Sequence, residues 1–391
     1  MPAENTRDHD VVVFGATGFT GELTSVYLAE HAPAGLRWAL AGRNQSKLEA
    51  VRSRLATIDP ALADLPLLHA DTTDDASLKE VAASTRVVIT TVGPYLLYGE
   101  PLVAACAEAG TDYVDLTGEP EFVDQMYLEH HETAVASGAR IVHACGFDSI
   151  PHDLGAWYTV QELGSSEPIT LRGVVRSNAT FSGGTFHSAI TAMSRAKQMR
   201  EAMVARRKKE PRPEGRKSRA VSGKPHRDPD LGYWLLPLPT IDPFVVARSG
   251  AALASYGPDF RYSHYAGLKT LRYTAGAVAA VSTLAVSAQI PPVRNFLKSR
   301  VKQGEGPSEE RREKAWFTVD FVGESAGMTV HTRVSGGDPG YTDTAKMLAE
   351  SALCLALDDN PQTAGQVTTA QAMAANLLPR LQAAGLRFEV V

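Results

Sequence analysis

Near the start of the chain an apolar run, Val11-Val12-Val13-Phe14, enters Gly15-Ala16-Thr17-Gly18-Phe19-Thr20-Gly21. It then passes into a segment with Leu23, Val26, Tyr27 and Leu28 at helical spacing. A strand that feeds a glycine-rich turn and opens a helix constrains the fold strongly, because it starts a parallel α/β layout and builds an anion site at the same point. Gly15 lets the chain turn sharply off the strand, Gly18 lets a phosphate approach the backbone, and Gly21 lets the new helix pack tightly on the strand. The N–H groups and positive end of that helix then face the anion, and Thr17 and Thr20 add hydroxyl donors. The spacing is G-x-x-G-x-x-G, and its weight comes from the strand before it and the helix after it. These residues, with Phe19 among them, predict a pyrophosphate cradle.

The next strand-like run, Trp38-Ala39-Leu40-Ala41, ends in Gly42-Arg43-Asn44. A dinucleotide site that prefers NAD carries a carboxylate near this point for the ribose hydroxyl. A guanidinium instead neutralises a 2'-phosphate and bonds it bidentately, so Arg43, with Asn44, Ser46 and Lys47 close by, predicts NADP(H) as the cofactor.

The chain has 391 residues, 44% of them hydrophobic, enough for two ordinary cores. The formal charge of -5 excludes nucleic-acid binding by the molecule as a whole. The balance is uneven: from Arg195 to Arg227 there are 13 Lys or Arg and three acids, a local net of +10. Residues 206–230, with four prolines among these charges, are expected to form a mobile basic loop. Three cysteines, Cys106, Cys145 and Cys354, are too few for a disulfide framework and fit a reduced, cytoplasmic setting. The polar start of the chain has no secretory pattern. Tyr273 to Val293 is uncharged and flanked by Arg272 and Arg294, but it is rich in Ala, Ser, Thr and Gly and ends at Pro291-Pro292. A buried or surface-lying helix fits it better than a span, and it leaves room for peripheral contact with a lipid surface at the inner face of the plasma membrane.

Apolar strands and amphipathic helices continue to alternate up to Arg140-Ile141-Val142-His143, which predicts a doubly wound parallel sheet. Ligands of such a sheet lie at the carboxyl ends of its strands, so Asp71, Thr91-Val92-Gly93-Pro94-Tyr95, Thr117-Gly118-Glu119 and Ala144 to Asp148 form the expected rim. After a helix at Pro151 to Leu163 the pattern changes to alternating runs at Ile169 to Val175, Ala315 to Val322 and Met328 to Val334. The expected division is a Rossmann-type domain over 1–150, a second α+β domain over 151–360, and a C-terminal helical piece over 361–391 packing back near the first.

Four residues are candidates for chemistry. Tyr95 and Tyr98 follow the turn against which a nicotinamide would lie, and either phenol could meet a substrate oxygen. Glu119 ends the next strand as an acid or an orienting carboxylate. Asp148 stands at the mouth of Cys145-Gly-Phe-Asp-Ser-Ile-Pro151, in a segment whose Ser149, Pro151 and Asp153 suit a helix start. Packing and capping roles explain much of the same pattern. No metal is expected: His143, Cys145 and His152 match no zinc spacing. Tyr265-Ala-Gly-Leu-Lys269 has the spacing of a short-chain dehydrogenase acid pair, but it falls far beyond the sheet that would have to present it.

Taken together, Gly15 to Gly21, Leu40-Ala-Gly-Arg43, Thr91-Val-Gly-Pro-Tyr-Leu-Leu-Tyr-Gly99, Gly110 to Glu119 and Cys145 to Pro151 resemble the saccharopine dehydrogenase-like oxidoreductases. The likeness is strongest to the actinobacterial trans-acting enoyl reductases, and Ser182-Gly-Gly-Thr185, Phe260-Arg-Tyr262, Gly306-Pro307 and Thr344 to Leu348 extend it over nearly the whole chain. The resemblance implies NADPH-dependent reduction of a carbon–carbon double bond in a polyketide-derived lipid or glycolipid precursor. The partners it implies are an acyl or polyketide substrate, free or carrier-bound, and an acyl carrier domain that the basic segment could dock; a second copy of the chain is a further expected partner. The basic segment and Gly365 to Ala370 depart from the pattern of that group. Two other readings stay open: a saccharopine-type amino-acid or imine oxidoreductase, and a non-catalytic dinucleotide-binding protein at a lipid surface.

Overall fold

The computed structural model describes residues 7–179, 183–300 and 306–391. Ser182, part of the resemblance above, and the side chain of Thr185 lie outside the described set. The first sheet has seven parallel strands in the spatial order Gly365–Val367, Arg140–Val142, Asp112–Asp115, Thr85–Thr90, His9–Phe14, Trp38–Gly42 and Leu67–His69. Val11, Val12 and Val13 are fully buried, as expected for a strand covered on both faces. From His9–Phe14 the chain winds first to one side and then, at Thr85–Thr90, to the other. The crevice of a doubly wound sheet opens at that reversal.

Helices Phe19–His31, Gln45–Ile58, Asp75–Ser84, Glu100–Ala109 and Pro120–Ser137 join these strands. Local chemistry sets their ends. The side chains of Asn44 and Asp74 accept from the first N–H groups of the helices that follow them, and Gly110 and Gly138 end helices at φ values of +70° and +84°.

The second sheet is mixed. Its order is Arg387–Val390, Met328–Gly336, Phe317–Ser325, Ile169–Ser177, Asp259–Leu268, Trp234–Pro237 and His226–Arg227, with Lys217–Ala220 pairing beside Asp259–Leu268. Helix Ile150–Leu163 packs on its central strands, and one buried cluster runs from Val11 and Val13 through Leu154 and Leu353 to Phe321 and Phe388. The two sheets therefore share a core. Each fully buried Leu or Phe in it stabilises the fold by about 1.5–3 kcal/mol relative to an exposed side chain.

Two expectations are corrected. Residues 206–230 are not one continuous loop: Arg206 to Lys209 are the last turn of helix Ala196–Lys209, and Lys217–Ala220 is a parallel strand on Asp259–Tyr262, with loop at 210–216 and 221–225. Arg206 is buried, paired with Asp124 and Glu210, so that desolvation is offset by two carboxylates. Arg216 donates to the carbonyls of Gly250, Leu253 and Gly257. The charge of this stretch had concealed its structure. The second correction concerns the chain after Gly337. Helix Thr342–Leu357 packs on helix Phe19–His31 and on the first sheet, Gly365–Val367 is that sheet's seventh strand, and Arg387–Val390 returns to the second sheet.

Candidate functional site

The glycine turn leaves the sheet at the reversal point. Gly15 has φ +88°, and a Cβ there would lie 2.7 Å from Thr91 Oγ1 and 2.8 Å from Val92 Cγ2. At Gly21 a Cβ would lie 2.7 Å from the same Thr91 oxygen and closer still to Gly15 O. Gly18 is different: only Gly15 O, at 3.4 Å, faces it, so its bare side looks outward. Gly18 is also the N-cap of helix Phe19–His31 and has no side chain to accept from the first turn, which leaves those N–H groups free for an anion. Thr17 and Gly18 are exposed, and Thr20 is half-buried beside them. Thr91 donates its hydroxyl to Gly15 O at 3.1 Å, so its role is to lock the turn.

Arg43 is exposed at the end of strand Trp38–Gly42, and its charge helps hold the Asp71 carboxyl below the usual range, behind the larger effect of hydrogen bonds from Thr73. Asn44 and Asp71 are both engaged in local turns, with Asn44 Oδ1 accepting from Lys47 N at 3.0 Å. Sequence reasoning missed Arg312, whose guanidinium lies 5.7 Å from the centroid of the Phe19 ring, at the mouth of the glycine turn. It donates to Thr342 Oγ1, while its Nε is buried without a partner among the described residues. Phe19 itself is held edge-on to Tyr341 at 4.9 Å. No regular motif spacing connects Arg312 to the turn, so only the fold brings it there.

At the end of strand Thr85–Thr90 the chain passes through Thr91, Val92, Gly93 and Pro94, with a cis Gly93–Pro94 bond, into the short helix Tyr95–Tyr98. Tyr95, expected to face the cleft, is turned into the interior. Its ring is buried, its hydroxyl donates to Thr90 O at 3.0 Å and accepts from Leu116 N at 3.4 Å, and burial together with Asp115 pushes it well above the usual phenol range. Tyr98, 44% exposed at the other end of that helix, keeps an outward ring. Glu119 is buried and caps the same helix: Oε1 accepts from Tyr95 N at 3.3 Å and Ser188 Oγ at 2.8 Å, and Oε2 from Leu96 N at 2.9 Å. Through these three hydrogen bonds Glu119 ties the turn and the start of the short helix to helix Gly183–Ser194. Below it, Asp115 joins two strand ends by accepting from Thr117 N and Ala144 N and lying 2.7 Å from His143 Nδ1.

Asp148 is the sequence-predicted residue whose environment is most perturbed. Its Oδ2 would sit 3.1 Å from a Cβ on Gly118, which places the carboxyl against the end of strand Asp112–Asp115. Burial, then the Asp242 carboxylate, push it up to about 7, against the opposing pull of His152. Behind it His152, Asp242 and His264 converge, their nearest donor atoms within 4.8 Å of one another. His152 Nδ1 lies 3.1 Å from Asp242 Oδ1, and His264 Nδ1 lies 3.0 Å from the Tyr262 hydroxyl. Burial lowers His264 to about 3, whereas Asp242 raises His152 despite its burial. The cluster therefore presents a neutral imidazole, an imidazole biased toward its cation and a carboxylate, packed together, with His152 Nδ1 also 3.1 Å from Phe147 O. Asp242 and His264 come from elements far along the chain, and no spacing could have revealed them.

Residues 11–142 match the saccharopine dehydrogenase NADP binding domain. A trans-acting enoyl reductase of Mycobacterium tuberculosis is 37% identical over 417 residues, covering 98% of each chain, and one of Mycobacterium ulcerans is 36% identical over 411 residues, covering 97% of each. Among solved structures, apo saccharopine dehydrogenase (L-Glu forming) from Saccharomyces cerevisiae superposes with a TM-score of 0.56 over 98% of this chain and 100% of that one, at 13% identity, a likeness of fold. The glycine cradle, the free helix N-terminus and Arg43 fit NADP(H), which is the cofactor of this oxidoreductase. The chain belongs to the saccharopine dehydrogenase-like oxidoreductases, in the branch of the trans-acting enoyl reductases.

Proposed function

We propose that the protein reduces the carbon–carbon double bond of an enoyl thioester, carried on a separate acyl carrier, with Asp148 as the proton donor. The cofactor supplies hydride to one carbon of the double bond when bound; a proton must then reach the other. Asp148 carries this reading, because its carboxyl stands against the strand end at Gly118 and burial pushes it up to about 7, so that a large share of it holds a proton near neutrality and can give it up. Burial keeps it from ionising early, with the Asp242 carboxylate adding to that effect and His152 opposing it. Tyr98 contacts the thioester end, and Glu119 fixes the turn on which the nicotinamide lies. Three arginines of the helices beside the site are already engaged, Arg195 with Glu121, Arg206 with Asp124 and Arg248 with Glu210. That weighs against a dicarboxylic amino acid as substrate.

An acidic carrier domain would meet Arg207, Lys208 and Arg212, which are exposed on the helix end and the loop after it. The test follows NADPH oxidation with one enoyl chain on coenzyme A and on a carrier domain. Replacing Asp148 with Asn should lower kcat by about 10²–10⁴-fold. In the wild-type enzyme the acid form is the active one, so kcat should fall as pH rises through about 7. Charge reversal at Arg207 and Lys208 should slow only the carrier-bound substrate at low salt. An Asp148→Asn enzyme with unchanged kcat and pH profile would overturn the assignment.

A further inference from the structure

Helix Leu271–Gln289 lies on the outside of the molecule, with only Thr274 and Ala288 buried. Tyr273 and Val286 are 67% and 65% exposed, and Val278 and Val281 are exposed with them. Helix Pro291–Arg300 follows at once and leaves Phe296 55% exposed. A contiguous apolar surface of this kind on a folded domain marks a contact with something apolar.

By length and composition the helix could cross a bilayer, but the topology forbids it. The strand before it, Asp259–Leu268, and the strand after the hairpin, Phe317–Ser325, both pair with Ile169–Ser177 in one sheet. One crossing would put those two strands on opposite sides, and among the described residues the helix that returns has ten residues, about 15 Å, against a hydrocarbon core of about 30 Å. The hairpin must lie along whatever it touches.

Charge identifies the partner. Between Asp259 and Glu305 the sequence contains seven Lys or Arg and no Asp or Glu, in a chain whose formal net charge is -5. Lys269, Arg272, Arg294 and Arg300 form no ion pair among the described residues. A second copy docking face to face would bring like charges together. An anionic phospholipid surface accepts apolar side chains between its headgroups and pairs the cations with phosphate. The net negative remainder would then orient the molecule with this face toward the lipid.

We propose that helices Leu271–Gln289 and Pro291–Arg300 are a docking surface for an anionic phospholipid bilayer. The surface is coupled to the candidate site through helix Gly183–Ser194: Gln289 Nε2 donates to Met193 O at 2.6 Å, Lys298 Nζ to Thr191 Oγ1 at 2.8 Å, and Ser188 Oγ to Glu119 at 2.8 Å. Docking would place the cleft mouth beside the lipid. The proposal is independent of which bond is reduced.

Co-sedimentation with vesicles of equal parts phosphatidylglycerol and phosphatidylcholine, and of phosphatidylcholine alone, tests it on the full chain, with NADPH titration of the same preparations as the check on folding. Binding is expected to the anionic vesicles only, weakened at high salt, and weakened about tenfold or more by the double variant Val281→Asp, Val286→Asp. Replacing Arg272, Arg294 and Arg300 by Gln should weaken it while leaving NADPH binding intact. Failure of NADPH-competent protein to sediment, or equal sedimentation of wild type and the double Asp variant, would overturn the proposal. So would a wild-type dimer that ignores vesicles and is split by the Asp substitutions, an outcome that gives the face to a second copy.

Discussion

Arg43 is one exposed guanidinium at a strand end, and we assign to it the grip on the 2'-phosphate that would favour NADPH over NADH. A charge-assisted hydrogen bond contributes about 1.5–3 kcal/mol, or about 10–100-fold in affinity. Fluorescence titration of an Arg43→Ala protein should therefore show NADPH weakened by that factor and NADH nearly unchanged; equal weakening of both would remove Arg43 from the 2'-phosphate. This residue was legible because its position relative to the glycine turn is fixed by one βα unit. The same logic named Asp148, which closes another strand. It failed for Tyr95, since a phenol two residues past a turn can face the cleft or the interior, and the choice depends on Thr90 O, which accepts from its hydroxyl, and the Leu116 N–H, which donates to it. Arg312, His152, Asp242 and His264 are assembled from four distant segments, and nothing local in the sequence records their meeting.

At the scale of elements, the turn and the helix it opens separate binding from folding. Gly21 faces Gly15 O and Thr91 Oγ1, so Gly21→Ala forces backbone and hydroxyl apart and should cost about 1–3 kcal/mol of stability along with cofactor affinity. Gly18 faces outward with one neighbour at 3.4 Å. Gly18→Ala should leave the thermal midpoint within about 2 °C of wild type, because little packing changes. It should nonetheless weaken NADPH, because the new methyl stands where a phosphate approaches. Parallel thermal scans and titrations check the pair, and an Ala at position 18 with unaltered NADPH affinity would move the pyrophosphate elsewhere. The parallel strands and their helices were legible because both periods are strong over 25-residue units. Asp259–Leu268 was not, since its inward residues include Ser263 and His264, which read as polar although they are buried. Lys217–Ala220 was hidden by its charge, and Gly365–Val367 by having only three residues.

For the whole molecule, the returning C-terminal segment decides how separable the two sheets are. Residues 1–150 contain six of the seven parallel strands, but the seventh, Gly365–Val367, pairs with Arg140–Val142, and Gln366 reaches Val123 O and His131 Nδ1 from it. Helix Thr342–Leu357, with Leu348 fully buried and Leu353 at 1% exposure, covers Phe19–His31, whose Tyr27 hydroxyl donates to Glu350 at 2.8 Å. A fragment ending at 150 would expose Tyr27, Leu28 and the edge of Arg140–Val142 together. Such a fragment should bind a hydrophobic dye, show no sharp thermal transition and fail to bind NADPH. The full chain should unfold in one transition that NADPH at 100 times its Kd raises by about 2.7 kcal/mol of added stability. A fragment of 1–150 that melts cooperatively and is stabilised by NADPH would show that the dinucleotide sheet folds without its seventh strand. Failing that, the cleft between the sheets is built by the same segment that completes the first of them, so cofactor binding and the geometry of the second sheet cannot be varied independently.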